Sequence, residues 1–170
     1  MNKIFSSLVF TLILSSPIFA EDFNAFNIGY SDWDLDGVSI NSLDLGFTIQ
    51  SEKTRFNAEY WRLDGDADDA GIWHTGIDYS FGDWADGTAY FGIGYLDSEL
   101  VEDGEASYTI GYAKSSTEGM NYDVSLFNVD GDTDVRIDLS WDLGNANYLG
   151  FGYWKADEVD IISLNYSKKF

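Results

Sequence analysis

The feature that most constrains this chain is an alternation of apolar and polar residues with a period of two. In IWHTGIDYSF, residues 72–81, Trp73 and Ile77 fall on one face. His74 and Asp78 fall on the other face. Successive side chains of a β-strand point to opposite faces, so this period indicates strands with two unlike faces. No segment after residue 20 shows a convincing helical period, and the chain is therefore predicted to be all-β.

Segments with this period, each near ten residues long, follow one another with short connections. We predict ten strands, at residues 22–31, 38–50, 53–63, 71–82, 87–98, 105–115, 119–129, 134–143, 147–156 and 160–170. Consecutive strands joined by short connections pair as antiparallel neighbours, which gives an up-and-down meander.

The side chains on the polar face of these strands are unusually small, as at Gly46, Gly76, Gly111 and Ser125. The solvent face of a soluble β-sandwich would carry many Lys, Glu and Thr residues instead. Small polar groups fit the crowded interior of a closed barrel whose apolar face meets lipid, and a tilted strand of about 9–11 residues crosses the hydrocarbon. The sequence therefore predicts a ten-stranded transmembrane antiparallel β-barrel, with a secreted sandwich as a weaker alternative.

Aromatic residues concentrate near the strand ends, where Trp and Tyr of membrane proteins meet the lipid–water interface. One set of strand ends carries Tyr30, Trp33, Trp61, Trp73 and Trp154. The other set carries Phe81, Trp84, Trp141, Tyr166 and Phe170. This distribution predicts an aromatic girdle at each interface.

The last segment, IISLNYSKKF at residues 161–170, places Tyr166 and Phe170 on one face and ends the chain on Phe170. It resembles the final strand of bacterial outer-membrane β-barrels, which commonly ends in Phe with aromatic or apolar residues at alternate positions. The resemblance implies a small porin-like protein of the Gram-negative outer membrane, in contact with lipid and lipopolysaccharide. It also implies that Tyr166 and Phe170 form the signal read by the barrel-assembly machinery.

Residues 1–20 have the layout of a secretory signal peptide, with Lys3 before an apolar run and Ala20 at the expected cleavage site. The apolar run, residues 4–14, is too short for a transmembrane helix. We expect the barrel domain to span residues 21–170, which is enough chain for one domain.

The chain is strongly acidic, with a formal net charge of −21. Such a charge repels phosphate backbones, so nucleic acid is excluded as an expected partner. There is no cysteine, which excludes a disulfide framework and thiol chemistry.

Carboxylates collect in the connections expected to face outward. An even strand count brings both termini to one side, taken as periplasmic, so the outward connections are residues 31–37, 64–70, 98–104, 130–133 and 157–159. In SDWDLDGV, Asp32, Asp34 and Asp36 are spaced as at the start of an EF-hand, but its twelfth position is Leu43 within a predicted strand. These aspartates are either turn formers that keep a loop solvated or weak ligands for Ca²⁺. No other cofactor is expected.

Ionisable residues on the polar face are the candidates for lining the barrel. They are Asp44, Arg55, Glu59, His74, Asp78, Asp123, Arg136, Asp138 and Asp142. Their excess of carboxylates would favour cations in a pore, and ion pairs among them would instead fill a closed interior. The large inward residues predict a constriction, and they are Trp61, Tyr90, Phe127, Tyr148 and Trp154.

Catalysis is not expected, because the only histidine, His74, is about 13 Å along its strand from Asp78, at strand rise. The leading hypothesis is a narrow cation-preferring pore, open to small ions or solutes. The alternative is a closed structural or adhesive barrel whose acidic external loops bind divalent cations or surface partners.

A closed barrel should survive unheated SDS, since a closed strand ladder has no edge from which to unzip. We expect the unheated protein to migrate at a different position from the boiled protein in SDS gel electrophoresis. A band that never shifts on boiling would count against the barrel.

Overall fold

All regular structure in the described part of the chain is β-strand. The computed structural model describes residues 23–35, 37–64, 70–99, 104–116, 119–156 and 159–170. The strands are β1 Phe23–Leu35, β2 Val38–Ser51, β3 Thr54–Asp64, β4 Ala70–Trp84, β5 Gly87–Ser98, β6 Glu105–Ser115, β7 Met120–Val129, β8 Asp132–Gly144, β9 Asn147–Lys155 and β10 Val159–Lys169. Among these residues no helix is long and apolar enough to cross a membrane. The predicted signal peptide, residues 1–20, lies outside the described ranges.

The strands form one closed antiparallel barrel, which confirms the predicted fold class and strand number. Each strand pairs with its neighbours in sequence, and β1 closes the barrel by pairing with β10. That closing pair runs in continuous register from Ala25 opposite Lys169 to Leu35 opposite Val159. Closure gives every strand a hydrogen-bonding neighbour on both sides, so no sheet edge is left open.

The two ends of the barrel differ in their connections. The end at which β1 begins and β10 ends, called here the terminal end, is where residues 52–53, 85–86, 116–119 and 145–146 connect the strands. The opposite end, called the loop end, has connections at residues 36–37, 65–69, 99–104, 130–131 and 156–158. Ala85 and Asp86 both have positive φ, as do Asn145 and Ala146. Positive φ at both central residues is the geometry of tight hairpin turns that match strand twist.

The exterior of the barrel is an apolar belt and the interior is polar. On the exterior Ile93, Ile110 and Leu164 are each more than half exposed, at 58%, 54% and 57%. In the interior Asp44 and Ser107 are almost completely buried. This arrangement inverts that of a soluble protein, and it satisfies a lipid environment outside and a packed polar environment inside.

The aromatic girdles are only partly as predicted. Tyr30 and Trp73 are exposed on the exterior near the loop end. Near the terminal end Phe81, Trp84, Trp141, Tyr166 and Phe170 are exposed on the exterior. The assignment of Trp33, Trp61 and Trp154 to a girdle is wrong, because all three have inward parity on their strands and are at most 3% exposed.

Strand β1 is longer than predicted, and the connection predicted at residues 31–37 is mostly strand. Leu35 pairs with Val38, so the hairpin between them is only two residues long. Gly37 has a φ of 84°, which fits a tight turn. Asp and Gly are common in loops, and the Asp-rich composition concealed an alternation that continues through Trp33 to Leu35.

Glycines make room for tyrosine rings on neighbouring strands. A side chain at Gly111 would collide with the ring of Tyr90, which is fully buried inside the barrel. On the exterior, a side chain at Gly87 would collide with Tyr112 in the same way. Tyrosine packed over glycine in this way covers backbone that would otherwise lack a packing partner.

We predict that Gly111→Val destabilises the barrel by about 1–3 kcal/mol, because the added methyl groups overpack against Tyr90. The measurement is urea unfolding of the protein refolded in lipid vesicles, with Gly82→Val as the matched control. Gly82 also lies in a strand, but an added Cβ there meets no atom within 4 Å. Equal midpoints for the two variants would contradict this packing role.

Candidate functional site

The barrel interior is divided along its axis into three layers. Small polar residues such as Asn27, Thr48 and Ser167 lie toward the terminal end, and charged residues lie in the middle. Apolar residues fill the loop end. The interior is therefore the region where this chain concentrates its buried charge.

Eight of the nine predicted lining residues lie buried in the interior, and we call them the charged cluster. They are Asp44, Arg55, Glu59, His74, Asp78, Asp123, Arg136 and Asp138, each at most 7% exposed. Strand register explains part of their proximity, since Arg55 is directly opposite Asp78 and Glu59 is directly opposite His74. The ninth residue, Asp142, lies apart from this cluster. It is exposed at the terminal end, where its Oδ1 accepts a hydrogen bond from the Gly144 N–H at 2.7 Å.

Arg55 joins two carboxylates in the half of the cluster nearer the terminal end. Its Nε donates to Asp78 Oδ2 at 2.8 Å, and its Nη1 lies 3.5 Å from Asp123 Oδ2. The Tyr90 hydroxyl donates to Asp123 Oδ1 at 2.5 Å. The guanidinium also lies 4.9 Å from the centre of the Tyr90 ring. Buried carboxylates need such partners, because a charge away from water is costly when unpaired.

His74 connects three strands of the interior. Its Nδ1 is 3.5 Å from Glu59 Oε2 on β3, and its Nε2 is 3.1 Å from Ser107 Oγ on β6. The contact with Ser107 spans the intervening strand β5 because residue 94 is glycine. A side chain at Gly94 would meet both His74 Nε2 and Ser107 Oγ at 2.6 Å. Ser107 was not among the predicted site residues, since this contact depends on which residue of β5 lies between the two strands.

The loop end of the interior is closed by an apolar cluster that we call the aromatic plug. It consists of Trp33, Trp61, Leu63, Ile72, Leu96, Phe127, Val129, Trp154, Ala156, Val159 and Ile161. The sequence predicts a constriction at some of these positions but not the continuous plug. The available signal was that the inward face of several strands changes from polar to apolar at the same end.

Arg136 and His74 contact the aromatic plug directly, and Ser42 links it to Asp44. The Arg136 guanidinium lies 5.2 Å from the Phe127 ring centre and 5.6 Å from that of Trp154, within cation–π range. The His74 ring meets Phe127 edge-on with centroids 5.6 Å apart. Trp33 Nε1 donates to Ser42 Oγ at 3.2 Å. That serine in turn donates to the Asp44 carboxylate.

The space left among these side chains is very small. A cavity of about 20 Å³ adjoins Arg55, Glu59, His74 and Arg136. A second cavity, of about 10 Å³, lies between Arg136 and Trp154. Roughly 10–15 Å³ is the minimum for one water molecule, so a hydrated ion does not fit in either cavity. In this conformation neither cavity gives an ion a path past the charged side chains that line it.

Ser107, His74 and Glu59 have the order of a hydroxyl, an imidazole and a carboxylate that activates a serine nucleophile. All three are buried, at 1%, 7% and 5% exposure. The adjoining cavity of about 20 Å³ has no room for an acyl substrate. The three side chains therefore have the order of a triad without space for a substrate beside them in this conformation.

The predicted calcium ligands lie far from this interior. Asp32 and Asp34 are on the exterior face of β1, where Asp32 Oδ1 accepts from Ser39 Oγ at 2.5 Å. Asp34 Oδ1 accepts from the Gly37 N–H at 2.7 Å. Asp36 lies outside the described residues. Within the described ranges no three acidic or histidine side chains are grouped as metal ligands.

The predicted assembly signal lies on the exterior at the terminal end. Tyr166 is exposed, and its hydroxyl donates to Asn147 Oδ1 at 2.5 Å. The Phe170 ring lies 6.2 Å from that of Phe47. The Phe170 N–H donates to the Asn24 carbonyl at 2.9 Å, so the chain ends on the closing seam of the barrel.

Comparison with solved structures finds the same kind of fold. The KdgM porin, solved in complex with disordered oligogalacturonate, has a TM-score of 0.55 and 7% identity, covering 86% of this chain and 99% of that chain. An outer membrane channel from Pseudomonas putida F1 has a TM-score of 0.53 and 9% identity, covering 91% of this chain and 97% of that chain. No family model matches the sequence, and no curated protein matches it either.

The closed barrel, its apolar belt and its polar interior together define a class of protein. The chain is a closed β-barrel with an apolar exterior suited to lipid, and its fold is that of the outer-membrane porin and channel to which it is similar. Lipid is the environment that explains why large apolar side chains cover the exterior while charges are buried inside.

We predict that Arg55→Met destabilises the barrel by about 3–5 kcal/mol, since Asp78 and Asp123 would lose their buried cation. Urea unfolding in lipid vesicles measures this change. The matched control is Lys155→Met, which removes a pair of 2.8 Å between partly exposed partners, Lys155 and Asp160. That control should change stability by about 1 kcal/mol or less. Similar losses for both variants would show that Arg55 does not hold the cluster together.

Proposed function

We propose that this protein is a narrow, cation-preferring pore of the outer membrane that is closed at its loop end in the conformation described. The observation that carries the proposal is the charge of the interior. Five buried carboxylates in the charged cluster, Asp44, Glu59, Asp78, Asp123 and Asp138, face only two arginines. A pore lined with excess carboxylate favours cations.

The cost of this charge supports a role beyond filling the barrel. An interior of well-packed apolar residues would fill the same space without desolvating charges, and buried ion pairs are often no more stabilising than such packing. This chain uses apolar packing at the loop end and places most of its buried charge in the middle. A passage for cations accounts for the difference.

The aromatic plug supplies the closed state. Hydrophobic constrictions block ions by excluding water, and a displacement of a few side chains is enough to rewet them. Trp33 and Trp61 are fully buried at the loop end, so they are the side chains whose movement would open the path. Opening would connect the charged cluster to the solvent at that end.

The similarity to two outer-membrane channels supports transport as the kind of function. The solute bound to the KdgM porin, an oligogalacturonate, is anionic. An interior with excess carboxylate repels such a solute, so we infer that this chain passes small cations instead.

We further propose the orientation and partners of the barrel. The loop end faces the outside and contacts lipopolysaccharide, and the terminal end faces the periplasm. Tyr166 and Phe170 would then be the residues presented to the barrel-assembly machinery. The Ca²⁺ hypothesis for Asp32, Asp34 and Asp36 stays a weak surface site at the loop end. We propose no catalytic activity.

A second candidate function is a closed structural or adhesive barrel. The observation that favours it is the filled interior, whose cavities of about 20 and 10 Å³ leave no path for ions. In that case the function would lie in the acidic connections of the loop end, where divalent cations or surface partners would bind.

Planar-bilayer recording of the refolded protein across a salt gradient separates the two candidates. We expect rare, small current steps from the wild-type protein and frequent steps with a cation-selective reversal potential from Trp61→Ala, because that change opens the aromatic plug. Trp73→Ala is the matched control, since Trp73 is 56% exposed on the exterior. It should conduct like wild type.

Folding of each variant is checked by its unheated band in SDS gels. A folded Trp61→Ala barrel that passes no current would remove the pore and leave the closed barrel. An anion-selective reversal potential would contradict the role given to the carboxylates.

A further inference from the structure

We propose that His74 is a pH-sensing residue that closes the pore more firmly when it is protonated. The inference rests on the proposed function, since it concerns regulation of the same pore. It is carried by the position of one histidine that contacts the charged cluster on one side and the aromatic plug on the other.

Both nitrogens of His74 face oxygen atoms that can accept a hydrogen bond. Nδ1 is 3.5 Å from Glu59 Oε2, and Nε2 is 3.1 Å from Ser107 Oγ. A neutral imidazole has one donor, whereas an imidazolium has two. The neutral ring with its proton on Nδ1 can donate toward Glu59 and accept from the Ser107 hydroxyl, so what protonation adds is a positive charge beside the Glu59 carboxylate.

Glu59 gains most from this protonation. Its Oε2 is buried and has no hydrogen-bond partner among the described residues, and the same holds for His74 Nδ1. Protonation would place a cationic donor beside an unpaired carboxylate oxygen, and charge-assisted hydrogen bonds are the stronger kind. The result is a firmer attachment of β3 to β4 directly beneath the plug.

Some other charges near His74 favour a positive charge on its ring, and others oppose it. Asp78, on the same strand, is already paired with Arg55 on β3. Arg136 on β8 lines the same cavity of about 20 Å³ and also stacks on Phe127, so it opposes a second cation. The neighbouring positions of β5 and β6 that face His74, Gly94 and Ser107, carry no charge. The direct contact with Glu59 at 3.5 Å therefore makes the net effect of these charges on a protonated His74 attractive.

Protonation is transmitted to the plug through aromatic contact. The His74 ring meets the Phe127 ring edge-on, with centroids 5.6 Å apart, and Phe127 meets Trp154 edge-on at 6.0 Å. A protonated imidazole is held to an aromatic ring by cation–π attraction as well as by packing. Acid pH should therefore hold Phe127, and with it the plug, in the closed position.

Histidine is the side chain whose charge normally changes between about pH 5 and 8. The cavity of about 20 Å³ beside the ring has room for about one water molecule, which would carry the proton to it. The expected behaviour is a pore whose rare openings become rarer still as the pH falls from the mildly alkaline to the mildly acidic range.

Bilayer recording between about pH 5.5 and pH 8 tests the regulation. We expect open probability to fall by about tenfold at the acidic end, the effect of one charge-assisted hydrogen bond. The fall should vanish in His74→Gln. In Glu59→Gln it should shrink or reverse, because only Arg136 then acts on the cation. Asp44→Asn, which removes a cluster carboxylate without a direct contact to His74, should keep the pH dependence.

A fall in current that persists in His74→Gln would overturn the role of His74 while leaving the pore intact. If no folded variant conducts at any pH, including Trp61→Ala, the pore itself fails. The two failures are therefore distinguishable.

Nuclear magnetic resonance tests the coupling without any current. The chain has one histidine, so its ring resonances identify His74 without assignment by mutation. We expect the indole N–H resonance of Trp154 to shift with the same midpoint as the His74 ring, and to stay fixed in His74→Gln. A Trp154 resonance that stays fixed while the His74 ring resonances shift with pH would overturn the link to the plug.

Discussion

The whole structure depends on one constraint, that every backbone N–H and C=O group in hydrocarbon must be hydrogen-bonded within the protein. Ten strands meet it by closing β1 onto β10, so that no strand has an open edge. Once the sheet is closed, the period of two places each side chain either in lipid or in the interior. The polar residues of this chain therefore have only the interior, the turns and the rims of the barrel.

That confinement explains the unusual chemistry of the interior. Charges brought inside must find partners there, and Arg55 does this for Asp78 and Asp123 at 2.8 and 3.5 Å. The loop end is handled differently, since Trp33, Trp61 and their neighbours exclude water by packing. The charged cluster and the aromatic plug touch at His74 and Arg136, and Ser42 bridges Trp33 to Asp44. Through these contacts, a change of charge in the charged cluster can shift the side chains of the aromatic plug.

The sequence was sufficient to predict the fold, because faces and strand number follow directly from a period of two. It was insufficient where the local composition indicated one structure and the alternation of inward and outward positions along the strand indicated another. Asp32 and Asp34 looked like loop residues, yet both lie in β1, since strand pairing outweighs the turn preference of aspartate. Trp33 looked like an interfacial residue by its position, but its parity directs it inward. The contact of His74 with Ser107 crosses β5 and was not predictable from spacing along one strand.

The central claim is that the six tryptophans divide into three that face lipid and three that close the interior. Fluorescence quenching by brominated phospholipids tests it most directly, using two refolded variants that retain only Trp61 or only Trp73. These residues are 0% and 56% exposed, respectively. The account predicts strong quenching of Trp73 and weak quenching of Trp61. Equal quenching of the two would place Trp61 in lipid and contradict the aromatic plug.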